Sequence, residues 1–216
     1  MTGSAHPLPM ELVRNCRVLP DRVDVLRYLP KNIVFVEIGV ALGDFTARIL
    51  ETCNIRHFHA IDIFTMHKYP DSWDGRVGRE LGELDHLTFY RRRFAGEIQT
   101  GRLSVMEGES HLKLEELADH SVDIFYVDAD HAYESVKRDL SIIRRKLVPG
   151  GLIILNDYTM FDQFRMIPYG VVQAAHEFMI NERWEMVFLA LHPQMFCDIT
   201  IRELYSRPAA SVTTPQ

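Results

Sequence analysis

Short apolar runs recur along the chain, and segments with helical periodicity separate them. A short apolar run bounded by turn residues predicts a strand that is buried on both faces. The predicted strands cover residues 33–38, 57–61, 102–106, 122–127 and 152–155. Strands that alternate with helices in this way indicate a parallel sheet with helices on both of its faces.

Two helices are well marked, and they precede the last strands. Residues 132–147 carry apolar side chains on one face, and Pro149-Gly150-Gly151 follows them as a terminator. Residues 170–181 form a second helix, after which 186–191 and 196–204 read as an antiparallel pair. We therefore expect a doubly wound, Rossmann-like α/β fold, whose seven-stranded, mostly parallel sheet ends in a C-terminal antiparallel hairpin.

The two ends of the chain have weaker patterns. Residues 1–11 are predicted to be loose, and 12–28 to form a short helical lead-in that Pro20 interrupts. Residues 206–216 contain two prolines and small polar side chains, which are typical of a disordered tail. With 216 residues, 47% of them hydrophobic, we expect a single domain over the whole chain.

Charge, cysteine content and the lengths of the apolar segments limit the partners and the location that we expect for the protein. The formal net charge is −6, which disfavours nucleic acid as a partner. The three cysteines are far apart and form no C-x-x-C pair, as expected of a reducing compartment, so the cytoplasm is the expected location. No apolar segment approaches the length of a membrane span, and we expect no membrane association.

Glu37, Gly39 and Gly43 lie where the first strand meets a helix predicted over 44–51. Glycines let a ligand approach the backbone there, while an acid just before them would repel a pyrophosphate and suit a cationic group. The pattern resembles the first motif of the class I S-adenosylmethionine-dependent methyltransferases, although Ala41 replaces the middle glycine. The resemblance implies that Glu37 helps to anchor the amino-acid end of this cofactor.

Two further turns are candidates for contacts with the cofactor. Asp62 ends the second strand, at the interval where nucleotide-binding sheets place an acid for ribose hydroxyls. Gly108, Glu109 and Ser110 follow the third strand at a turn that commonly packs against adenine in this superfamily. An ordinary turn, with Ser110 capping a helix, explains the second pattern equally well.

Acidic and polar residues also follow the fourth and fifth strands. Asp128, Asp130 and His131 end one strand, while Asn156 and Asp157 end the next. Parallel strands present their carboxyl ends at one edge, so Asp128, Asn156 and Asp157 should converge as oxygen ligands for Mg²⁺, Mn²⁺ or Ca²⁺. The alternative is helix capping by Asp130 or Asp157. Asp128 is also assigned to the cofactor site.

Residues 36–204 resemble the small metal-dependent O-methyltransferases of the macrocin O-methyltransferase and cephalosporin hydroxylase group. The shared features are an Asp-x-Asp-His-x-Tyr loop at residues 128–133 and a Gly-Gly strand that ends in Asn156-Asp157-Tyr158. The resemblance implies Mg²⁺ on Asp128, Asn156 and Asp157, and a proton acceptor at Asp130 or His131. At the position of Asn156, many relatives carry an acidic residue or a histidine instead. Dimers are common among the resembling proteins.

The sequence thus predicts methyl transfer from S-adenosylmethionine to a hydroxyl of a small molecule, with Asp130 preferred over His131 as the base. One alternative is methylation of nitrogen in nucleic acid or protein. Enzymes that methylate base amines typically carry an Asn/Asp-Pro-Pro-Tyr loop where this chain has residues 128–131. The other alternative is a relative that binds the nucleoside cofactor without transferring a methyl group.

Overall fold

Eight strands pair into one sheet, and two more form a small hairpin beside it, in the computed structural model, which describes residues 5–204. The strands are β1 (Arg17–Leu19), β2 (Ile33–Ile38), β3 (Ile55–Asp62), β4 (Leu103–Glu107), β5 (Val122–Val127), β6 (Leu147–Leu155), β7 (Phe161–Asp162), β8 (Ile167–Pro168), β9 (Trp184–Ala190) and β10 (Asp198–Glu203).

Helices cover both faces of the sheet. They are α1 (Arg22–Leu26), α2 (Asp44–Thr52), α3 (Arg76–Leu81), α4 (His86–Arg93), α5 (Ala95–Gln99), α6 (Ser110–Glu115), α7 (Tyr133–Lys146) and α8 (Val171–Glu182). Two 3₁₀ turns occur at Met10–Leu12 and Met66–Lys68. Among the helices of residues 5–204, none is long and apolar enough to cross a bilayer.

The order of the strands places a crevice at the centre of the sheet. The order is β1-β9-β10-β6-β5-β2-β3-β4, in which β2 to β6 are parallel and β10 is antiparallel to both β6 and β9. The chain runs outward from β2 toward β4 and later from β5 toward β6. The order therefore reverses between β2 and β5, and ligands of open α/β sheets bind outside the carboxyl ends at such a point. The predicted α/β architecture and its closing antiparallel pair are confirmed.

Strand β2 shows why the central strands are continuous apolar runs. Phe35 packs into a cluster on one face of the sheet with Phe58, while Val36 and Ile38 pack into the cluster on the other face with Val127. Both faces of the strand are buried, so polar and apolar residues do not alternate regularly along it.

The N-terminal segment corrects the predicted lead-in. Residues 12–28 contain the short helix α1, but also β1, an eighth strand that pairs in parallel with β9, Arg17 lying opposite Phe188. The sequence pattern does not reveal β1, because three residues are too few to show the alternation of a strand. Its partner β9 is also distant in sequence. The predicted tail at 206–216 lies outside the described residues, as do residues 1–4 of the predicted loose start.

Gly39 cannot carry a side chain in this fold. Its φ is +84°, and a Cβ atom built on it would lie 1.9 Å from the backbone oxygen of Asp128. We predict that Gly39→Ala lowers the free energy of unfolding by about 3 kcal/mol, because left-handed strain adds to the clash. Gly101→Ala is the matched control, since φ is +72° there and nothing lies within 4 Å of the added atom. Its cost should be about 1 kcal/mol. Equal urea midpoints for the two variants would contradict this account.

Candidate active site

A cavity of about 560 Å³ opens at the point where the strand order reverses. It lies outside the carboxyl ends of β2, β3, β4 and β5 and is lined by both apolar and acidic side chains. Of the residues selected from the sequence, the following line it: Gly39, Asp62, Gly108, Glu109, Ser110, Asp128 and Asp130. Three separate loops predicted to bind one cofactor therefore do meet at one cavity.

Asp62 shapes the glycine turn as well as the cavity wall. Its Oδ2 accepts hydrogen bonds from the backbone N–H of Val40, at 2.9 Å, and of Ala41, at 3.4 Å. Its Oδ1 accepts from the backbone N–H of Phe64 at 2.7 Å. A carboxylate can accept about four hydrogen bonds, so capacity remains for a ligand hydroxyl.

Glycines shape two turns at the cavity in different ways. Gly108 has φ +145°, and a Cβ atom there would lie 2.7 Å from Cε of Lys113. Gly43 is the N-cap of α2 with φ +85°, and a Cβ atom there would lie 2.6 Å from the ring of Phe94. Gly43 is not part of the cavity wall, so its role in the structure is to let α2 begin close to Phe94.

Glu37 lies beneath the cavity rather than in its wall. The residue is 1% exposed, and its carboxyl group accepts a hydrogen bond from the hydroxyl of Thr46, which is 3.0 Å from the hydroxyl of Tyr90. Burial raises the pKa of the Glu37 carboxyl well above its usual range, and the hydrogen bond from Thr46 only partly opposes this. The predicted contact with the amino-acid end of the cofactor stays a prediction.

Asp128, His131 and Asp157 form a compact cluster beside the cavity. One ligand atom from each lies within 4.8 Å of the others. Nε2 of His131 is 3.6 Å from Oδ1 of Asp128 and 3.3 Å from Oδ2 of Asp157. This nitrogen is buried and has no well-directed hydrogen bond. An imidazole nitrogen held between two carboxylates can accept a proton or bind a cation.

The charges in this cluster shift the pKa values of its members. Burial alone would lower the pKa of His131, but the carboxylates of Asp128 and Asp157 outweigh it and raise that pKa. Burial, reinforced by the charge of Asp128, raises the pKa of Asp157 to about 6. Asp157 also has φ +53°, a costly conformation for a residue with a side chain, of the kind that clusters at functional sites.

Asp130 and Asn156 have partners outside the cluster. Asp130 accepts hydrogen bonds from the backbone N–H of Ala132, at 3.1 Å, and from the hydroxyl of Ser135, so it holds the loop that leads into α7. Asn156 donates from its side-chain amide to Asp198 at 3.0 Å. The N-cap of α7 is Ala132 and no side chain caps this helix, so the capping role considered for Asp130 is not found. His131 joins the two aspartates where Asn156 was expected.

A partly buried polar network behind the cluster was not predicted. Arg22 donates to the hydroxyl of Tyr126 at 2.8 Å, and that hydroxyl donates to Asp198 at 3.0 Å. The guanidinium also lies 3.9 Å from Asp128 and 4.5 Å from the ring centre of Phe45. Burial raises the pKa of Asp198 to about 7, although the charge of Arg22 opposes this. No local motif marks Arg22 or Asp198, because the contacts join distant parts of the chain.

Comparison with known proteins identifies the family. Residues 36–158, more than half of the chain, match a sequence-family model described as a methyltransferase domain. The chain belongs to this family. The family and the fold support S-adenosylmethionine as the cofactor, and the cavity lies where this fold binds ligands. No curated protein sequence matches the chain.

Solved structures share the fold at low sequence identity. Precorrin-6y C5,15-methyltransferase from Geobacter metallireducens aligns with a TM-score of 0.57 and 15% identity, over 84% of this chain and 86% of that one. For an S-adenosylmethionine-dependent methyltransferase from Aquifex aeolicus, the TM-score is 0.56 and the identity 12%, over 85% and 89%. The [4+2]-cyclase SpnF aligns with a TM-score of 0.53 and 13% identity, over 76% of this chain and 57% of that one. Likeness of fold alone therefore does not establish the reaction.

The buried carboxyl group of Glu37 should make the stability of this methyltransferase domain depend on pH. A carboxyl group whose pKa is raised on folding stabilises the fold at low pH, and this contribution is lost as the pH rises above the unfolded value of about 4.3. Glu37→Gln should therefore melt near the wild-type temperature at pH 4 and above it at pH 8. Glu51→Gln, at an exposed position of the same helix α2 that carries Thr46, is the control and should show no such trend. A constant difference for Glu37→Gln across this range would contradict the buried neutral carboxyl.

Proposed function

We propose that the protein transfers a methyl group from S-adenosylmethionine to a hydroxyl of a small molecule, with a divalent cation assisting. The observation that carries the proposal is the position of His131, whose buried Nε2 lies between Asp128 and Asp157 beside the cavity. Family membership supports the methyl transfer, and the chemistry of this cluster supports oxygen as the acceptor atom.

The cofactor half of the proposal rests on the turns after β2, β3 and β4. Gly39 and Gly108 line the cavity, and glycine is needed at both turns because a Cβ atom would meet Asp128 at the first and Lys113 at the second. In this proposal Asp62 accepts hydrogen bonds from the ribose hydroxyls of the cofactor. Glu109 and Ser110, which also line the cavity, contact its adenine ring. The acidic side chains around the cavity favour a cationic sulfonium over an anionic nucleotide.

The acceptor half rests on His131. Its Nε2 takes the proton as the acceptor oxygen attacks the methyl carbon, the carbon–sulfur bond breaks, and its electron pair stays on sulfur. Asp128 and Asp157 stabilise the imidazolium that results, as their effect on the pKa of His131 indicates. We now favour His131 over Asp130 as the base, because both carboxylate oxygens of Asp130 already accept hydrogen bonds.

The donor set suits a hard divalent cation. Asp128 and Asp157 would hold it through carboxylate oxygens, while Nε2 of His131 stays available to accept the proton. Carboxylate oxygens suit Mg²⁺ or Mn²⁺, and Asn156, the third oxygen ligand expected from the sequence, is bonded to Asp198 instead. Such a cation, when bound, lowers the pKa of the acceptor hydroxyl.

The cofactor assignment predicts binding of S-adenosylhomocysteine in calorimetry. Asp62→Ala should weaken this binding by about 1 to 3 kcal/mol through loss of its hydrogen bonds to ribose. Asp123→Ala is a matched control. Like Asp62, Asp123 accepts a hydrogen bond from a backbone N–H group, that of Val34 at 2.7 Å, but it does not line the cavity. It should destabilise the fold without changing the affinity. Binding of NAD in place of S-adenosylhomocysteine would refute the assignment.

Three variants separate the roles in the cluster, with Mn²⁺ affinity measured by spin resonance. Asp157→Asn should lower that affinity more than about tenfold, since it removes a ligand charge. His131→Ala should lower turnover about 100-fold or more if the imidazole is the base, with Mn²⁺ affinity nearly kept. Asp130→Asn should lower the melting temperature while turnover persists, because it weakens the hydrogen bonds from Ala132 and Ser135 that order the loop before α7.

These outcomes can also overturn the proposal. Loss of Mn²⁺ affinity in His131→Ala would make the imidazole a ligand rather than the base. Full turnover in excess chelator, together with unchanged Mn²⁺ affinity in Asp157→Asn, would remove the cation from the reaction.

A further inference from the structure

Large apolar side chains stand exposed on the β7–β8 hairpin and the loop beside it. Phe164 is 64% exposed, Met166 71% and Met195 70%. The two segments touch, because the rings of Phe164 and Phe196 lie 5.9 Å apart and the side chain of Gln163 donates to the backbone oxygen of Gln194 at 3.3 Å. We call this the hairpin surface; it comprises Met160, Phe161, Phe164, Met166, Ile167 and Met195.

The hairpin surface is fixed to the candidate active site. Asp162 accepts hydrogen bonds from the backbone N–H groups of Phe164, at 2.8 Å, and Arg165, at 3.0 Å, which shapes the tip of the hairpin. Asp162 also accepts from the hydroxyl of Tyr169 at 3.0 Å. The ring of Tyr169 stacks on His131, with ring centres 4.4 Å apart. Tyr169 therefore connects the tip of the hairpin to His131.

Arg165 links the hairpin surface to the cavity. It lies between Phe164 and Met166 in sequence and lines the cavity, whose other charged wall residues are all acidic among residues 5–204: Asp62, Glu109, Asp128 and Asp130. Its side chain is 61% exposed, and its Nε is 3.8 Å from Asp162, too far for a hydrogen bond. The guanidinium thus remains able to bind an anion bidentately.

We propose that the acceptor is an amphipathic anion, whose apolar body lies on the hairpin surface and whose carboxylate or similar group binds Arg165. This inference rests on the proposed function and names the substrate class of the same site. Large exposed apolar patches mark interaction surfaces, and this one meets the cavity at Arg165, which lies between Phe164 and Met166 in sequence. Charge complementarity selects the anion, because a cationic ligand would face Arg165 at the mouth.

A pair of dyes tests the inference. Anilinonaphthalene sulfonate has apolar rings and an anionic group, whereas phenylnaphthylamine has the same rings without the charge. The wild type should bind both, and the sulfonate about fivefold more tightly. Phe164→Ser combined with Met166→Ser should weaken both dyes about tenfold. Arg165→Gln should weaken only the sulfonate, to the affinity of the uncharged dye.

Val18→Ser is the control for exposed apolar surface. Val18 is 62% exposed on β1, at the far edge of the sheet, and its replacement should change the binding of neither dye. Calorimetry with S-adenosylhomocysteine on every variant separates the two proposals. If the wild type fails to bind this nucleoside, the proposed function fails, whatever the dyes show. If it binds, and the dyes do not distinguish the hairpin variants from Val18→Ser, only the present inference fails.

Three other results would overturn the inference. If Arg165→Gln weakens S-adenosylhomocysteine and spares the sulfonate dye, Arg165 serves the cofactor carboxylate. If light scattering shows a dimer that the double hairpin variant dissociates, a second copy of the chain covers this surface. If anionic lipid vesicles bind the wild type but not the double variant, the surface meets a membrane.

Discussion

Carboxyl groups from four strands crowd the central edge of the sheet, and the arrangement of the site depends on how their charge is balanced. Glu37 is the penultimate residue of β2, Asp128 and Asp157 follow β5 and β6, and Asp198 begins β10. Arg22 lies among them, bonded to Tyr126 and 3.9 Å from Asp128. Burial raises the pKa values of Glu37, Asp157 and Asp198, and the negative charge of Asp128 adds to the rise in each case. Such an edge is ready to receive positive charge.

The sequence predicted the sheet well because its strands are buried on both faces. The bounds of β2 and β5 agree with the predicted residues 33–38 and 122–127, since these runs contain little that could occupy a loop. The edge strand β1 was missed because its pairing with β9 crosses most of the chain. Arg22 and Asp198 were missed for the same reason: each acquires its role only from a tertiary contact.

Within the site, the residue types were predictable but their individual roles were not. The loop at 128–131 offers two carboxylates and an imidazole, and spacing alone favoured Asp130 as the base. The folded loop uses Asp130 to satisfy Ala132 and Ser135, which frees His131 to turn toward Asp157. An aspartate in a short loop readily accepts hydrogen bonds from the backbone N–H two residues later and from nearby hydroxyls, and spacing along the sequence does not show which acid is engaged in this way.

The region that matches the family model contains the proposed catalytic residues, and the hairpin proposed to bind the acceptor lies outside it. Residues 36–158 contain the glycine turns, Asp62 and the whole Asp128, His131 and Asp157 cluster, so the parts proposed to hold the cofactor and activate an oxygen lie within the shared region. The hairpin at Phe161–Pro168 follows that region, and its tip carries exposed apolar side chains and Arg165. A short hairpin can change sequence without disturbing the sheet, whereas a side chain at Gly39 would meet the backbone of Asp128. The surface proposed to select the acceptor is thereby separate from the proposed catalytic cluster, and Tyr169, stacked on His131, is the physical link between them.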